Sequence, residues 1–352
     1  LKEEVRRDAR LIMRKIQDNV IFRALKGVWN MKESGIIIPT ILYAIFVQIM
    51  NPIFFSVSNV GNLLRQTGFV LIPAIGMTMV LIVGGIDLSV GSVLALACVS
   101  SGLLMMKVVW PAWMPVWLPI LLAILLAILI GAFIGLINGT VILKFGTPPM
   151  IMTLGMMFMA RGMVYISTKG LPVYPLPKEF MRIEQTSWFS IPTIVYLSLV
   201  LCVFFHIVLA HTTFGRSVYA IGGSRDAAKL SGIPIGRISI TVFTICSAMA
   251  AIAGIMMGSR LGSAQPSVGT SHEMNVIAAC IVGGTSTFGG RGTILGTAVG
   301  ALFMSMLTNS MTLMKVDIYW QNLAIGAVLV IAVILDQYKR AAAERGTKAA
   351  AL

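Results

Sequence analysis

Leu118-Pro119-Ile120-Leu121-Leu122-Ala123-Ile124-Leu125-Leu126-Ala127-Ile128-Leu129-Ile130 is a run of thirteen residues without one polar side chain. A membrane β-strand alternates apolar and polar residues, and this run does not alternate. Continued to residue 138 it reaches the roughly 20 residues that an α-helix needs to cross a bilayer. The whole chain has the same character. It has 352 residues, 57% hydrophobic and 11% charged, whereas soluble domains are about a quarter charged. A water-excluded core cannot absorb so many apolar side chains, so lipid must solvate much of the surface. The expected class is an all-α, polytopic membrane protein.

Hydropathy and turn residues mark about ten transmembrane helices, at 36–55, 66–85, 88–107, 118–138, 149–168, 190–210, 238–258, 271–287, 292–313 and 319–337. The eighth is short and ends in Gly283-Gly284, so a broken or re-entrant segment is expected there. The resulting organisation is an N-terminal segment over 1–35, one transmembrane domain over 36–337 and a basic tail over 338–352. In the first segment Val5, Ala9, Ile12, Ile16 and Val20 recur at helical spacing among Arg6, Arg7, Arg10, Arg14 and Lys15. This is an amphipathic helix, lying on the membrane surface or docked on a partner. It holds no apolar core of signal-peptide type.

The formal net charge is +14. Lys and Arg collect on the cytoplasmic side of membrane proteins, which accounts for the charge without nucleic acid. With ten spans both termini face the cytoplasm, and 19 of the 27 basic residues fall inside. The outer face then carries Trp110, Trp113 and Trp117, an interfacial aromatic belt. It also carries the long 169–189 loop, either a simple connection or a landing surface for an extracytoplasmic partner. Cys98, Cys202, Cys246 and Cys280 are widely spaced inside apolar runs, so neither a disulfide nor a metal site is expected. Residues 82–91 and 281–290 echo one another at a spacing of 199, in keeping with duplicated halves and glycine-broken helices. Glycine pairs are also ordinary helix ends.

A polar loop over 211–237 interrupts the apolar sequence. Within it Asp226 is a good helix N-cap, Ala227, Ala228, Lys229 and Leu230 favour helix, and Gly232 supplies a left-handed stop. Asp226-Ala227-Ala228 followed by Gly232 resembles the Glu-Ala-Ala loop of bacterial ABC importer permeases, with Asp for Glu. Further blocks run in the same order as in the ribose and branched-chain amino acid permease group. They are Gly84-Gly85-Ile86-Asp87-Leu88-Ser89-Val90-Gly91-Ser92, Pro148-Pro149 with Thr153-Leu154-Gly155 and Arg161-Gly162, Thr213-Phe214-Gly215-Arg216, Ala220-Ile221-Gly222-Gly223, and Gly283-Gly284-Thr285-Ser286 with Gly289-Gly290. The first block resembles the monosaccharide branch. Asn275 stands where many relatives have Asp.

The resemblance implies a permease subunit of an ATP-driven importer for a monosaccharide or small polyol in the bacterial inner membrane. It implies a second permease subunit, in a homodimer, a separate ATPase subunit and an extracytoplasmic sugar-binding protein. The coupling residues it implies are Arg225, Asp226, Ala227, Ala228, Lys229 and Gly232. Intramembrane charge is costly, so Asp87, Arg161 and Glu273 should face protein or water. Asp87, with Ser89 beside it, either caps the third span or shapes the gate. Asn275, Asn309, Gln321 and Asn322 are the neutral candidates for the sugar path. The sequence has no phosphate-binding Gly-rich loop ending in Lys-Ser/Thr, so ATP is expected on the partner, with no cofactor on this chain. The competing readings are a stand-alone secondary transporter and a branched-chain amino acid permease.

Overall fold

The computed structural model describes residues 34–111 and 113–350, with side chains over 35–338. The expected amphipathic helix at 1–30 and the side chains of Lys339, Arg340, Arg345 and Lys348 lie outside the described residues. Thirteen helices are described. In chain order they are α1 Ser34–Met50, α2 Val57–Ile82, α3 Val90–Lys107, α4 Trp117–Phe145, α5 Pro149–Thr168 and α6 Lys178–Gln185. A two-residue hairpin, β1 Ser187–Trp188 and β2 Ile191–Pro192, follows. Then come α7 Thr193–His211, α8 Thr213–Gly223, α9 Arg225–Leu230, α10 Ile235–Leu261, α11 His272–Val282, α12 Ile294–Leu313 and α13 Ile318–Ala350.

Eight of these are long and apolar enough to cross a membrane, and α1 and α11 are shorter apolar helices. The ten expected apolar segments are therefore present, and the chain is a multi-pass membrane protein. Two boundaries move. The second span starts at Val57 rather than 66, because Ser56 caps it by accepting from the Asn59 amide. The eighth helix stops at Val282. It is a half-length helix, as its glycine pair implied.

α10 is the central helix and packs along α4, α3 and α2. In lipid there is no hydrophobic force between apolar helices, so close backbone approach through small residues does the work. Gly131, Gly135 and Gly139 of α4 lie one turn apart and face Ala251, Phe243 and Ile240 of α10. Gly254 of α10 lies against the Leu94 carbonyl of α3. This glycine stripe is written in the sequence as G-x-x-x-G-x-x-x-G and was missed. By contrast α13 has little buried surface over Ile318–Tyr338, and Trp320, Leu323 and Ile331 face outward.

Two helices begin inside the bundle. The His272 ring meets the Phe69 carbonyl at 3.2 Å, so α11 starts at the middle of α2. The preceding 262–271 segment dips inward until Gly269 touches Gly91 in the first turn of α3. The 82–91 and 281–290 echo is real at the level of helix ends. Gly84 and Gly284 both adopt positive φ (+86° and +90°). Gly84 donates to Leu81 and Gly85 to Val80; Gly284 donates to Ile281 and Thr285 to Cys280. The matching positions are thus 200 residues apart, not 199. The first glycine of one pair corresponds to the second of the other.

Candidate functional site

The polar loop folds as two short helices. Thr212 caps α8, accepting from the Gly215 amide at 3.2 Å. α9 is capped by Ser224, whose hydroxyl accepts from the Ala227 amide at 3.3 Å. This corrects the expected role of Asp226. It sits in the first turn, where its negative charge favours the helix through the dipole. Gly232 is left-handed (φ +73°) and donates to the Lys229 carbonyl at 3.0 Å, as expected of the stop. Ala228 is buried, so it belongs to the internal face of α9 and packs toward the bundle. Arg225, Asp226, Ala227 and Lys229 are exposed. Leu230, read from the sequence only as a helix former, is 90% exposed.

α8 joins this surface to the bundle. Gly222 lies directly against the Ile82 carbonyl at the end of α2 and against the Gly290 amide. Gly290 in turn donates to that carbonyl at 2.8 Å. The Tyr219 hydroxyl donates to the Gly292 carbonyl at 2.7 Å, and burial pushes its pKa up. The ends of α2 and of the segment after α11 therefore both rest on one helix. Neither Tyr219 nor Leu230 was selected from the sequence. Gly222 stood only inside a matching block.

The intramembrane candidates separate into distinct places. Asp87 and Ser89 are buried. The Asp87 carboxylate accepts from the Ser89 amide at 2.9 Å and the Ser89 hydroxyl at 2.5 Å, and Asn138 donates to Ser89 at 3.2 Å. Asp87 does not cap α3; the N-cap position is Ser89, whose side chain makes no capping bond. Arg161 donates to the carbonyls of Pro266 (2.9 Å), Val268 (2.8 Å) and Gly91 (3.3 Å). It ties the dipping segment to the start of α3. Glu273 is buried in the first turn of α11 beside Gly91. Gln321 donates to the Val316 carbonyl at 3.1 Å, and Asn322 is exposed.

Asn309 forms a reciprocal amide pair with Asn59, at 2.9 and 3.0 Å, with both residues buried. Asn309→Leu leaves Asn59 Oδ1 without a partner, while the Asn59 amide nitrogen keeps the Phe54 carbonyl, at a cost of about 1–3 kcal/mol. The expected result is a lower melting temperature for the purified protein. An unchanged melting temperature would show that the pair contributes nothing.

Asn275 stands apart. It lines a pocket of about 250 Å³ together with Gln66, Phe69, Arg260, His272 and Ser305. The pocket lies where α2, α10, α11 and α12 converge. Arg260 stacks on the Phe69 ring at 5.5 Å. Above it Arg65 and Glu184 form an ion pair at 2.9 Å that holds α6 to α2. Burial pushes the Glu184 carboxyl up, more than Arg65 and then Arg260 pull it down. Its folded pKa thus lies above the unfolded one, and stability from this group falls as pH rises through that window. Arg65→Met removes the main downward pull. We expect about 2–3 kcal/mol of destabilisation at neutral pH, shrinking as acid neutralises Glu184. Thermal unfolding at pH 5 and pH 8 measures it, and a deficit that grows in acid would contradict it.

The sequence pattern of the family described as "Branched-chain amino acid transport system / permease component" matches residues 59–333. The chain belongs to this family. The permease is 37% identical over 325 residues to the ribose import permease protein RbsC of Escherichia coli (strain K12), covering 90% of this chain and 97% of that one. It is 38% identical over 313 residues to the protein of the same name from Bacillus subtilis (strain 168), covering 88% and 94%. The L-arabinose transport system permease protein AraH of Escherichia coli (strain K12) is 34% identical over 316 residues, covering 90% and 93%. No solved structure matches. The matched region contains the α8–α9 junction and the pocket residues, so both belong to the body that this permease shares with its family.

Proposed function

We propose that this chain is the membrane permease subunit of an ATP-driven importer that moves a monosaccharide or small polyol. The observation that carries the reading is the α8–α9 junction. An exposed two-turn helix, bearing charge and one bare leucine, is joined through Gly222 and Tyr219 to the ends of two bundle segments. The near full-length similarity to ribose and arabinose permeases supports the sugar class.

In this mechanism the permease does no chemistry and binds no cofactor. A partner ATPase subunit binds and hydrolyses ATP, and its closure presses on α9. α8 passes the displacement to Ile82 and to the Gly290–Gly292 segment. α2 and α11 carry Gln66, Phe69, His272 and Asn275 further along, so a push at one end changes the pocket. An extracytoplasmic binding protein delivers sugar at the opposite end, near α6 and the exposed Trp113 and Trp117. A second copy completes the pathway as a homodimer in the bacterial inner membrane, with both termini on the cytoplasmic side.

The test is reconstitution in vesicles with the cognate ATPase and binding protein. ATP-dependent uptake of D-ribose or L-arabinose is the expected result. Uphill uptake by this chain alone, without nucleotide, would establish a secondary transporter instead. Uptake of leucine in place of either sugar would establish the amino acid reading.

A further inference from the structure

We infer that the pocket where α2, α10, α11 and α12 converge is a binding site for a neutral sugar, formed within a single copy of the permease. The inference rests on the sugar-importer reading and adds the place and the residues.

Three oxygens carry it. Gln66 Oε1, Asn275 Oδ1 and Ser305 Oγ are each buried without a hydrogen-bond partner, and all three residues line this pocket. Ser305 is 2% exposed. A buried unpaired polar atom costs about 1–3 kcal/mol, so three such atoms on residues that line one pocket call for a ligand or water to satisfy them. They come from three separate helices, α2, α11 and α12, and no local turn explains their convergence. Asn138, Ser247 and Asp87 also hold unpaired atoms, but they do not line this pocket.

The lining matches the chemistry of a sugar. Hydroxyls donate to amide and hydroxyl oxygens, while the C–H face of a sugar ring lies on an apolar wall, here Phe69 and Met257. Arg260 also lines the pocket, and Arg65 repels it more than Glu184 attracts it. Its guanidinium stacks on Phe69. The three unpaired oxygens are neutral acceptors, which suit ligand hydroxyls rather than an acceptor-only carboxylate. Its volume of about 250 Å³ is below the usual range for drug-sized ligands and suits one monosaccharide ring. The wall also ties the site to the motor. α2 carries Gln66 and Phe69 and ends at Ile82, against Gly222.

The test uses the full complex of permease, ATPase and binding protein in vesicles, reading sugar uptake and ATP hydrolysis stimulated by the binding protein. Ser305→Ala deletes one hydroxyl without adding bulk. We expect it to change the ribose-to-arabinose uptake ratio by at least roughly threefold, since the loss of one hydrogen bond falls unequally on two stereoisomers. Met257→Trp fills the pocket and is expected to cut uptake at least roughly tenfold. Stimulated ATP hydrolysis should persist in both. Wild-type uptake and selectivity in both variants would overturn the site while leaving the importer reading intact. A wild-type complex that moves neither sugar overturns the importer reading, and the site falls with it. Stronger inhibition of uptake by D-glucuronate than by D-glucose would overturn the neutral-ligand assignment.

Discussion

Leu230→Asp is expected to abolish ATP-driven uptake while the permease still inserts at normal abundance. Leu230 is 90% exposed at the end of α9. Within the fold it makes little contact, so the substitution should stay within about 0.5 kcal/mol of neutral for stability. In a docked complex the same side chain contributes about 1.5–3 kcal/mol if fully buried. A carboxylate there loses that burial and adds its own desolvation cost. A total above about 3 kcal/mol weakens docking more than a hundredfold. Leu230→Met, which keeps an apolar side chain of similar volume, should transport normally. The measurement is sugar uptake together with co-purification of the ATPase subunit. Normal uptake by Leu230→Asp would remove α9 from the docking surface.

Gly222→Val should eliminate coupled transport by a different route. A Cβ at this position lands on the Ile82 carbonyl and crowds the Gly290 amide. Those two groups are hydrogen-bonded to one another at 2.8 Å. The side chain must break that bond or drive α8 off the bundle. Overpacking costs about 1–3 kcal/mol, and the lost hydrogen bond adds about 0.5–1.5 kcal/mol. The next residue supplies the control. Gly223 is exposed, and a Cβ there meets no atom within 4 Å. Gly223→Ala should therefore transport at near wild-type rates, while Gly222→Val retains ATPase docking but moves little sugar. Equal transport by the two variants would show that α8 does not carry the displacement.

Residues 225–232 show how far sequence reading reaches. The Ala-Ala-Lys-Leu helix and its Gly232 stop are local features, set by propensity and by the tolerance of glycine for positive φ, and they form as expected. Which face of that helix looks outward is not local. Ala228 turned inward and Leu230 outward because α9 packs against α8 and α10. The cap went to Ser224 rather than Asp226 for a related reason: the extended residue was the one at the α8–α9 joint. The intramembrane candidates were chosen by residue type alone. Polarity identified Asn275 and Asn309 equally. Nothing in the sequence revealed that Asn59, 250 positions away, takes up the amide of one and leaves the other facing a pocket.

Taken by itself, the order of residues established that lipid surrounds this chain, that about ten apolar segments cross or enter the bilayer, that two end at glycine pairs, and that a soluble helix interrupts them. Those properties follow from transfer free energy and backbone conformation, each belonging to a short stretch of chain. Tertiary structure decided the rest: the resting of α2 and the post-α11 segment on Gly222, the outward face of α9, and the three unpaired oxygens of one pocket. A hydrogen bond or a steric contact needs two partners. In this fold helix packing brings the partners together from separate elements, Gly222 against Ile82 and Gly290 among them.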